Sequence, residues 1–351
     1  LYEQARKQAS GSAAHAGESA DEKHPGADAP FAGVPMLVKD LFQEIGGAPH
    51  YMGNAAMKAS DHHHAGSDSE LVRRFRNAGA VIFGRTNTPE FGLKGITEPV
   101  SFGPTKNPWK LQRSPGGSSG GSAAMVAAGV VPFAGGNDGG GSIRIPASNC
   151  GLFGFKPGRG RTPWGPGVAE ATHGMSMNHV LTRSVRDSAA MLDCISGTEQ
   201  GSPMPVAPPP RPYREEVGRD PGRLRIAYST RSPIHTPVHH EAVNAVASTV
   251  KELRSLGHDV DDAEPGFDGE ALARDWLLLW FVTAAATVDM VRAATGCGAR
   301  CFESDTRVMA SLGRSLNAVD YFAAYERKLA YNQAFDAFLG TGRYDLWLTP
   351  V

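Results

Sequence analysis

The chain has 351 residues, 35 of them Lys or Arg and 36 Asp or Glu, so that its formal net charge is −1. A chain of this length can bury a large core in one α/β domain or in two smaller ones. The balanced charge offers no basic excess for a nucleic acid partner. The four scattered cysteines are too few for a disulfide framework, which indicates free thiols and a reducing compartment such as the cytoplasm.

The sequence pattern shows neither a metal site nor a membrane span. Cys297 and Cys301 are spaced i, i+4, but no second ligand pair accompanies them, and structural zinc needs four ligands. The histidines at 62–64 lack an acidic or cysteine partner at ligand spacing, so we interpret them as part of a solvated loop. The longest apolar run, near Trp276–Val282, is shorter than the about 18 residues that a membrane span needs.

In chain order, the first predicted elements are a helix end, a loop and a buried strand. Residues 1–9 are predicted as the end of a helix, and residues 10–30 as a surface loop. Residues 31–40 are predicted as a strand in which an apolar run precedes Lys39. A lysine at the end of a buried strand loses hydration, and we therefore expect desolvation to lower the pKa of Lys39.

A helix, a glycine and a strand follow each other twice along the chain. Ser69–Asn77 has apolar residues at helical spacing, Gly79 ends this helix, and Ala80–Phe83 reads as a short buried strand. Later, a predicted helix over Val238–Leu256 is followed by a glycine and an edge strand at 258–260. This alternation predicts an α/β fold whose sheet is layered between helices.

The stretch Gly116–Ala147 joins two clusters of glycine and serine through a segment of small residues. A strand is predicted over Val130–Phe133, and it leads into the second cluster. Glycine has no Cβ, so it permits positive φ and a close approach of a ligand to the main chain. Several N–H groups can then point at one place, as an oxyanion requires, and they are expected from Gly139, Gly140 and Gly141.

The segments that follow alternate between predicted strands, loops and helices. Leu152–Phe155 is predicted as a strand, and the Gly- and Pro-rich residues 158–180 as a loop. A helix with an N-terminal cap is predicted over Ser184–Ile195. Residues 269–293 and 318–339 are predicted as long helices.

We expect one domain over residues 1–351, with a catalytic part and a more helical part. Residues 1–196 form the catalytic part, 197–222 a proline-rich crossing with partial polyproline II character, and 223–351 the helical second part. Asp345–Thr349 reads as a buried strand that should continue into something. We therefore expect both ends of the chain to be truncated.

Four motifs stand in a fixed order along the chain: GVPMLVKD, GRTNTPEFG, GGSSGGSAA and GNDGGGSIRIPAS. In order and spacing they resemble the amidase signature family of serine hydrolases, over about residues 31–350. The resemblance implies an α/β/α sandwich with a large twisted mixed sheet. It also implies an enzyme that cleaves a small-molecule carboxylic amide to an acid and an amine without metal or organic cofactor. Homodimers are frequent in the family, and nothing in the sequence decides for or against one.

The resemblance assigns three catalytic residues. Ser142 is implied as the nucleophile that forms an acyl-enzyme, and Lys39 as the base. Ser118 is implied as the bridging serine, with a cis peptide bond to Gly117. In this arrangement Ser118 relays the proton between Ser142 and Lys39, which acts as base only in its neutral form.

The same resemblance implies three supporting residues, which are Ser119, Asp138 and Arg144. An arginine beside a carboxylate can fix the nucleophile loop through two parallel hydrogen bonds. The family usually has Thr or Ile where this chain has Gly139. We expect this departure to leave the catalytic residues intact and to loosen or enlarge the acyl side of the site.

Two other interpretations start from the same glycine clusters. Gly117–Gly121 fits the G-x-S-x-G elbow of an α/β-hydrolase-like esterase, whose base would come from the downstream histidines, namely His173, His179, His235, His239 and His240. That elbow needs a strand directly before it, and residues 113–116 do not read as one. Gly135–Gly141 could cradle a phosphate through N–H groups, but a P-loop places Lys before its Ser or Thr.

A third interpretation keeps the fold and changes the role. Relatives in the family serve as the glutaminase-type subunit of amidotransferases, together with partner subunits. The segments Ile96–Pro99, Asn107–Trp109 and Asn137–Gly140 look more like those of stand-alone amidases. They are similar to amidases that act on aryl amides or on nylon-type oligomers and cyclic dimers.

Overall fold

The computed structural model describes residues 1–14, 29–60, 65–168, 170–340 and 343–351. The histidines at 62–64 and most of the loop predicted at 10–30 lie outside the described residues. The α-helices are α1 Tyr2–Ala14, α2 Ala55–Ala59, α3 Glu70–Asn77, α4 Gly120–Ala127, α5 Arg144–Cys150, α6 Val185–Ile195, α7 His240–Ser255, α8 Gly269–Thr295, α9 Ser304–Ser315 and α10 Ala318–Phe335. The strands are β1 Pro35–Lys39, β2 Val81–Thr86, β3 Phe133–Asp138, β4 Phe153–Gly154, β5 Met177–Thr182, β6 Arg225–Tyr228, β7 Asp259–Asp262 and β8 Leu346–Leu348.

The first of two compact units comprises residues 1–218 and 287–308. Its sheet has five strands in the order β2-β1-β3-β5-β4. β1 runs parallel to β2 and β3, whereas β5 runs antiparallel to β3 and β4. The central strand β1 is buried from Met36 to Lys39, as expected for a parallel strand covered on both faces. This mixed sheet with its helices confirms the predicted α/β class.

Helix α3 shows how local sequence sets the bounds of an element. The Ser69 hydroxyl accepts the N–H of Val72 and caps the helix. The chain turns after the helix at Gly79, whose φ is +89° and where a Cβ would lie 2.7 Å from the Ala32 backbone. Glycine is therefore required at this turn, and β2 begins two residues later. The predicted order of helix, glycine and strand is confirmed.

Two strands of this unit differ from the prediction. β3 begins where the predicted strand over 130–133 ends and runs through the glycines to Asp138. β5 occupies the end of the segment predicted as a loop at 158–180. Glycine weakens a strand unless another group approaches closely, and here a Cβ on Gly135 would collide with the Gln43 side chain. Close packing on β3, which sequence patterns do not reveal, thus explains the first difference.

The second compact unit comprises residues 219–286 and 309–351. It contains a parallel sheet of three strands in the order β7-β6-β8. Residues of β6, β7 and α7 form its apolar core, namely Ile226, Val246, Val250 and Val260. The three strands overlap the segments predicted as strands. The single domain expected over 1–351 stays a prediction.

Helix α8, Gly269–Thr295, confirms the long helix predicted over residues 269–293. It has 27 residues, and an apolar window of 18 of them has a mean hydropathy of 1.5 and is 28% buried. By length and composition alone it could cross a membrane. The core helix of a soluble protein passes the same test. Asp275 within α8 is buried and accepts two hydrogen bonds from Arg327, at 2.8 and 2.6 Å. The helix is therefore weak evidence for a membrane.

Candidate active site

Lys39 ends strand β1 and is completely buried. Its Nζ donates to Ser118 Oγ and to Asn137 Oδ1, each at 2.6 Å. Burial lowers the pKa of Lys39 from 10.5 to about 7, although the charge of Asp138 acts in the opposite direction. The predicted lowering is confirmed, and a large share of the Lys39 side chains can therefore be neutral near pH 7.

Ser118 lies at the turn that leads into helix α4, and it is 1% exposed. The peptide bond between Gly117 and Ser118 is cis, as the family resemblance implies. A Cβ on Gly117 would lie 2.7 Å from the Ile96 backbone, so only glycine fits there. The structure thus brings the hydroxyl of Ser118 onto the amine of Lys39, although 79 residues separate them.

Ser142 follows Gly141, whose φ is +118°, and it is 8% exposed. The carbonyl of Ser142 accepts the N–H of Ser119 at 3.2 Å, which places the loop that carries Ser142 beside the turn at Ser118. Within the part of the chain that the structure describes, no hydrogen bond joins the hydroxyls of Ser142 and Ser118. The role of Ser118 as a relay to Ser142 therefore remains a proposal.

Asp138 and Arg144 hold the loop that carries Ser142 in shape. The completely buried carboxylate of Asp138 accepts the N–H groups of Gly141, Ile143 and Arg144 at 2.8, 3.1 and 3.2 Å. The Arg144 side chain donates to both carboxylate oxygens, at 2.9 and 2.8 Å. Burial raises the pKa of Asp138, but the hydrogen bonds and charge of Arg144 outweigh it and hold this pKa below its usual value. The bidentate geometry that we expected is present.

One of the expected oxyanion donors is engaged elsewhere. The N–H of Gly141 points to Asp138 Oδ1, so in this structure it serves the loop itself. The oxyanion role of Gly139 and Gly140 stays a prediction. Ser119, the remaining supporting residue, donates its hydroxyl to the carbonyl of Asn137 at 3.3 Å and thereby ties the turn at Ser118 to β3.

Sequence reasoning missed two residues of the site, Asn137 and Gln43. Asn137 accepts the Lys39 amine and donates to the carbonyl of Leu41 at 2.8 Å. Gln43 accepts the main-chain N–H of Lys39 at 2.8 Å. The two polar residues Asn137 and Asp138 between glycines were a signal for Asn137. For Gln43, which follows the strand predicted over residues 31–40, there was no comparable signal in the sequence.

The competing interpretations lack their structural requirements here. No strand directly precedes the motif Gly117–Gly121, since residues 113–119 are bends and loop, so the nucleophile elbow is not formed. His179 on β5 shares a hydrogen bond of 2.8 Å with Ser188, and burial lowers its pKa to about 3. The first four residues of Gly135–Gly141 are paired with β5 instead of forming a phosphate loop. Among the residues that the structure describes, no group of three or more His, Cys, Asp or Glu side chains could hold a metal ion.

Comparisons with known proteins agree with this geometry. The family model described as Amidase matches residues 2–351. A 6-aminohexanoate-cyclic-dimer hydrolase from Pseudomonas sp. (strain NK87) is 42% identical over 267 residues, which is 75% of this chain and 54% of that protein. The chain thus spans about half the length of this curated relative.

Two solved structures show the same fold. The structure of a 6-aminohexanoate cyclic dimer hydrolase matches with a TM-score of 0.87 and 34% identity, over 97% of this chain and 69% of that one. A bacterial aryl acylamidase of the amidase signature enzymes matches with a TM-score of 0.89 and 26% identity, over 100% of this chain and 71% of that one. These likenesses confirm the sandwich fold with a mixed sheet that the sequence motifs implied.

Proposed function

This chain belongs to the amidase signature family, and on that premise we propose that it hydrolyses a carboxylic amide through an acyl-enzyme on Ser142. The observation that carries the proposal is the 2.6 Å hydrogen bond between Lys39 Nζ and Ser118 Oγ at a fully buried lysine. An ammonium group cannot accept a proton, so a base at this place must be neutral. The burial that lowers the pKa of Lys39 to about 7 supplies this condition.

The proposed reaction begins with proton transfer from Ser142 through Ser118 to the neutral Lys39. The Ser142 oxygen attacks the amide carbonyl carbon, and the N–H groups of Gly139 and Gly140 stabilise the negative oxygen. Lys39 then returns the proton through Ser118 to the leaving nitrogen as the carbon–nitrogen bond breaks. A water molecule then gives a proton through Ser118 to Lys39 and attacks the acyl carbon. The ester bond to the Ser142 oxygen breaks, the proton returns through Ser118 to that oxygen, and the acid leaves.

The substrate class that we propose comes from the relatives. Their names describe a hydrolase of a 6-aminohexanoate cyclic dimer and an aryl acylamidase. Short ω-amino acid oligomers, their cyclic dimers and anilides are therefore the first amides to test.

The four free thiols support a reducing compartment such as the cytoplasm.

The test compares wild type with Ser142→Ala on a panel of primary amides, anilides and 6-aminohexanoate oligomers. We expect turnover of at least one amide by wild type and none by Ser142→Ala, in protein free of host amidases. Ser148→Ala is the matched control, because Ser148 is an exposed serine on the helix that follows the nucleophile. Activity that survives in Ser142→Ala refutes the assignment. Hydrolysis of glutamine alone would favour a glutaminase-type subunit.

A further inference from the structure

Gln43 is a buried side chain that joins the strand carrying Lys39 to the strand carrying Asn137. Its amide oxygen accepts the main-chain N–H of Lys39 at 2.8 Å, and its amide nitrogen donates to the carbonyl of Gly136 at 3.1 Å. No part of Gln43 is exposed. Both ends of the amide are bonded to main chain, which a buried amide requires if it is not to destabilise the fold.

The Gln43 amide stands where strand pairing is missing. β1 pairs with β2 from Pro35 to Lys39, but it pairs with β3 only at Leu37. At the level of Lys39, the side-chain amide supplies the acceptor and the donor that an adjacent strand would otherwise supply. At the level of Lys39, the main chain of β1 is therefore joined to the main chain of β3 through the Gln43 side chain.

The surroundings leave the amide little freedom. A Cβ on Gly135 would collide with the Gln43 amide, so the glycine allows this side chain to lie against β3. The main-chain carbonyl of Gln43 accepts a hydrogen bond from Arg85 at 2.8 Å. On the other side, the Asn137 side chain donates to the carbonyl of Leu41. The turn after β1 is thus fastened to β3 at two points.

We propose that Gln43 is a positioning residue that sets the place of the Lys39 amine, an inference that rests on the proposed function. Lys39 is held through its main chain by Gln43, and Asn137 directly follows the Gly136 carbonyl that Gln43 binds. The amide therefore fixes both partners of the contact between Lys39 and Asn137, and with it the place of the amine that also meets Ser118. A displacement of about 1 Å in such a contact can reduce a rate about 100-fold.

Gln43→Met tests the proposal, because methionine is unbranched and adaptable but forms neither hydrogen bond. We expect kcat on an amide substrate to fall about 10- to 100-fold. KM should change little, since a fully buried Gln43 does not touch the substrate. In the pH profile of kcat/KM, the acidic limb is the part in which the rate rises as Lys39 loses its proton. A loosened site lets water reach Lys39 and raises its pKa, so the midpoint of this limb should rise by about one pH unit or more.

Asn107 offers a matched control, because its buried amide also joins two main-chain groups. It donates to the carbonyl of Asn149 at 2.7 Å and accepts the N–H of Trp109 at 3.0 Å. Asn107→Leu should lower Tm and leave the acidic limb in place. The proposal is refuted if both variants move the limb equally, or if folded Gln43→Met keeps the wild-type kcat and limb.

A second variant and a second measurement keep the test independent of folding and of turnover. If Gln43→Met does not fold, Gln43→Leu replaces it, since it also forms neither hydrogen bond and adds no charge near Lys39. Its midpoint should move in the same direction, because the smaller side chain also admits water. NMR of ¹³C-labelled lysines, with the Lys39 signal assigned from Lys39→Arg, follows the titration directly. An unchanged midpoint overturns the inference, even if wild type hydrolyses no amide and the proposed function fails.

Discussion

Lys39→Arg separates a proton-accepting base from a residue that merely supplies positive charge. Arginine keeps the charge and the hydrogen-bond donors of lysine, but it is not deprotonated in proteins. The side chain of Lys39 is completely buried, and its amine meets Ser118 Oγ and Asn137 Oδ1. The variant therefore keeps the charge at this place and removes the capacity to accept a proton.

The magnitude follows from the pKa of Lys39. With a pKa of about 7, about half of the lysines are neutral at pH 7, against about one in 3,000 for a lysine at 10.5. For wild type, kcat/KM should rise about tenfold per pH unit below about pH 6.5 and level off above about pH 8. General-base catalysis contributes about 10²- to 10⁴-fold, so Lys39→Arg should lose about 10³-fold and its remaining activity should lack this limb.

The assay is the pH profile of kcat/KM on an anilide, with wild type and Lys39→Arg measured side by side. Lys94→Arg is the matched control, because Lys94 is ion-paired with Glu303 and Asp305, and arginine preserves both pairs. Circular dichroism and Tm establish that each variant folds. Near wild-type amidase activity in Lys39→Arg would show that Lys39 supplies charge only, and the proton relay through Ser118 would have to be abandoned.

Three further predictions concern stability and specificity. Between pH 7 and 10 the unfolded chain holds a proton on Lys39 that the folded protein releases, so wild type gains stability with rising pH. Lys39→Met should accordingly be more stable than wild type near pH 7, and urea unfolding should show this gap closing by about 2–3 kcal/mol by pH 9; a constant gap contradicts the lowered pKa. Asp138→Asn should cost about 3 kcal/mol, because it leaves a buried loop and its arginine without their carboxylate. As a control, Asp305→Asn removes an exposed partner of Lys94 and should lower the free energy of unfolding by about 0.5 kcal/mol or less. Equal losses for Asp138→Asn and Asp305→Asn in urea unfolding would refute the comparison. Gly139→Thr should reduce kcat/KM for bulky acyl amides more than for acetamide, because Gly139 is expected to enlarge the acyl side of the site. An equal loss on both substrates would contradict that expectation.

The sequence was most informative where chemistry and local geometry coincide. Lys39 after an apolar run and the glycines before Ser142 are readable in stretches of a few residues. Ser69 and Gly79 fixed the ends of α3 in the same way, since a cap and a turn act on adjacent residues. These features depend on backbone geometry near each residue, and for that reason they could be predicted.

Contacts between distant segments could not be predicted in this way. Gln43 binds Gly136 across 93 residues, and Asn137 binds Lys39 across 98 residues. Neither pair has a spacing that a periodic pattern would reveal. The course of β3 through Gly135 depends on the same contacts, since low strand propensity is outweighed by a neighbour that needs the space.

The low pKa of Lys39 and the number of hydrogen bonds around it have one physical cause. Removing water from the amine favours its neutral form, but it also removes water from every polar group nearby. Those groups must then be satisfied by the protein. Asp138 accepts three N–H groups and an arginine, and Gln43 bonds main chain at both ends. A substitution that admits water should therefore raise the pKa of Lys39, even where it leaves Lys39, Ser118 and Ser142 unchanged.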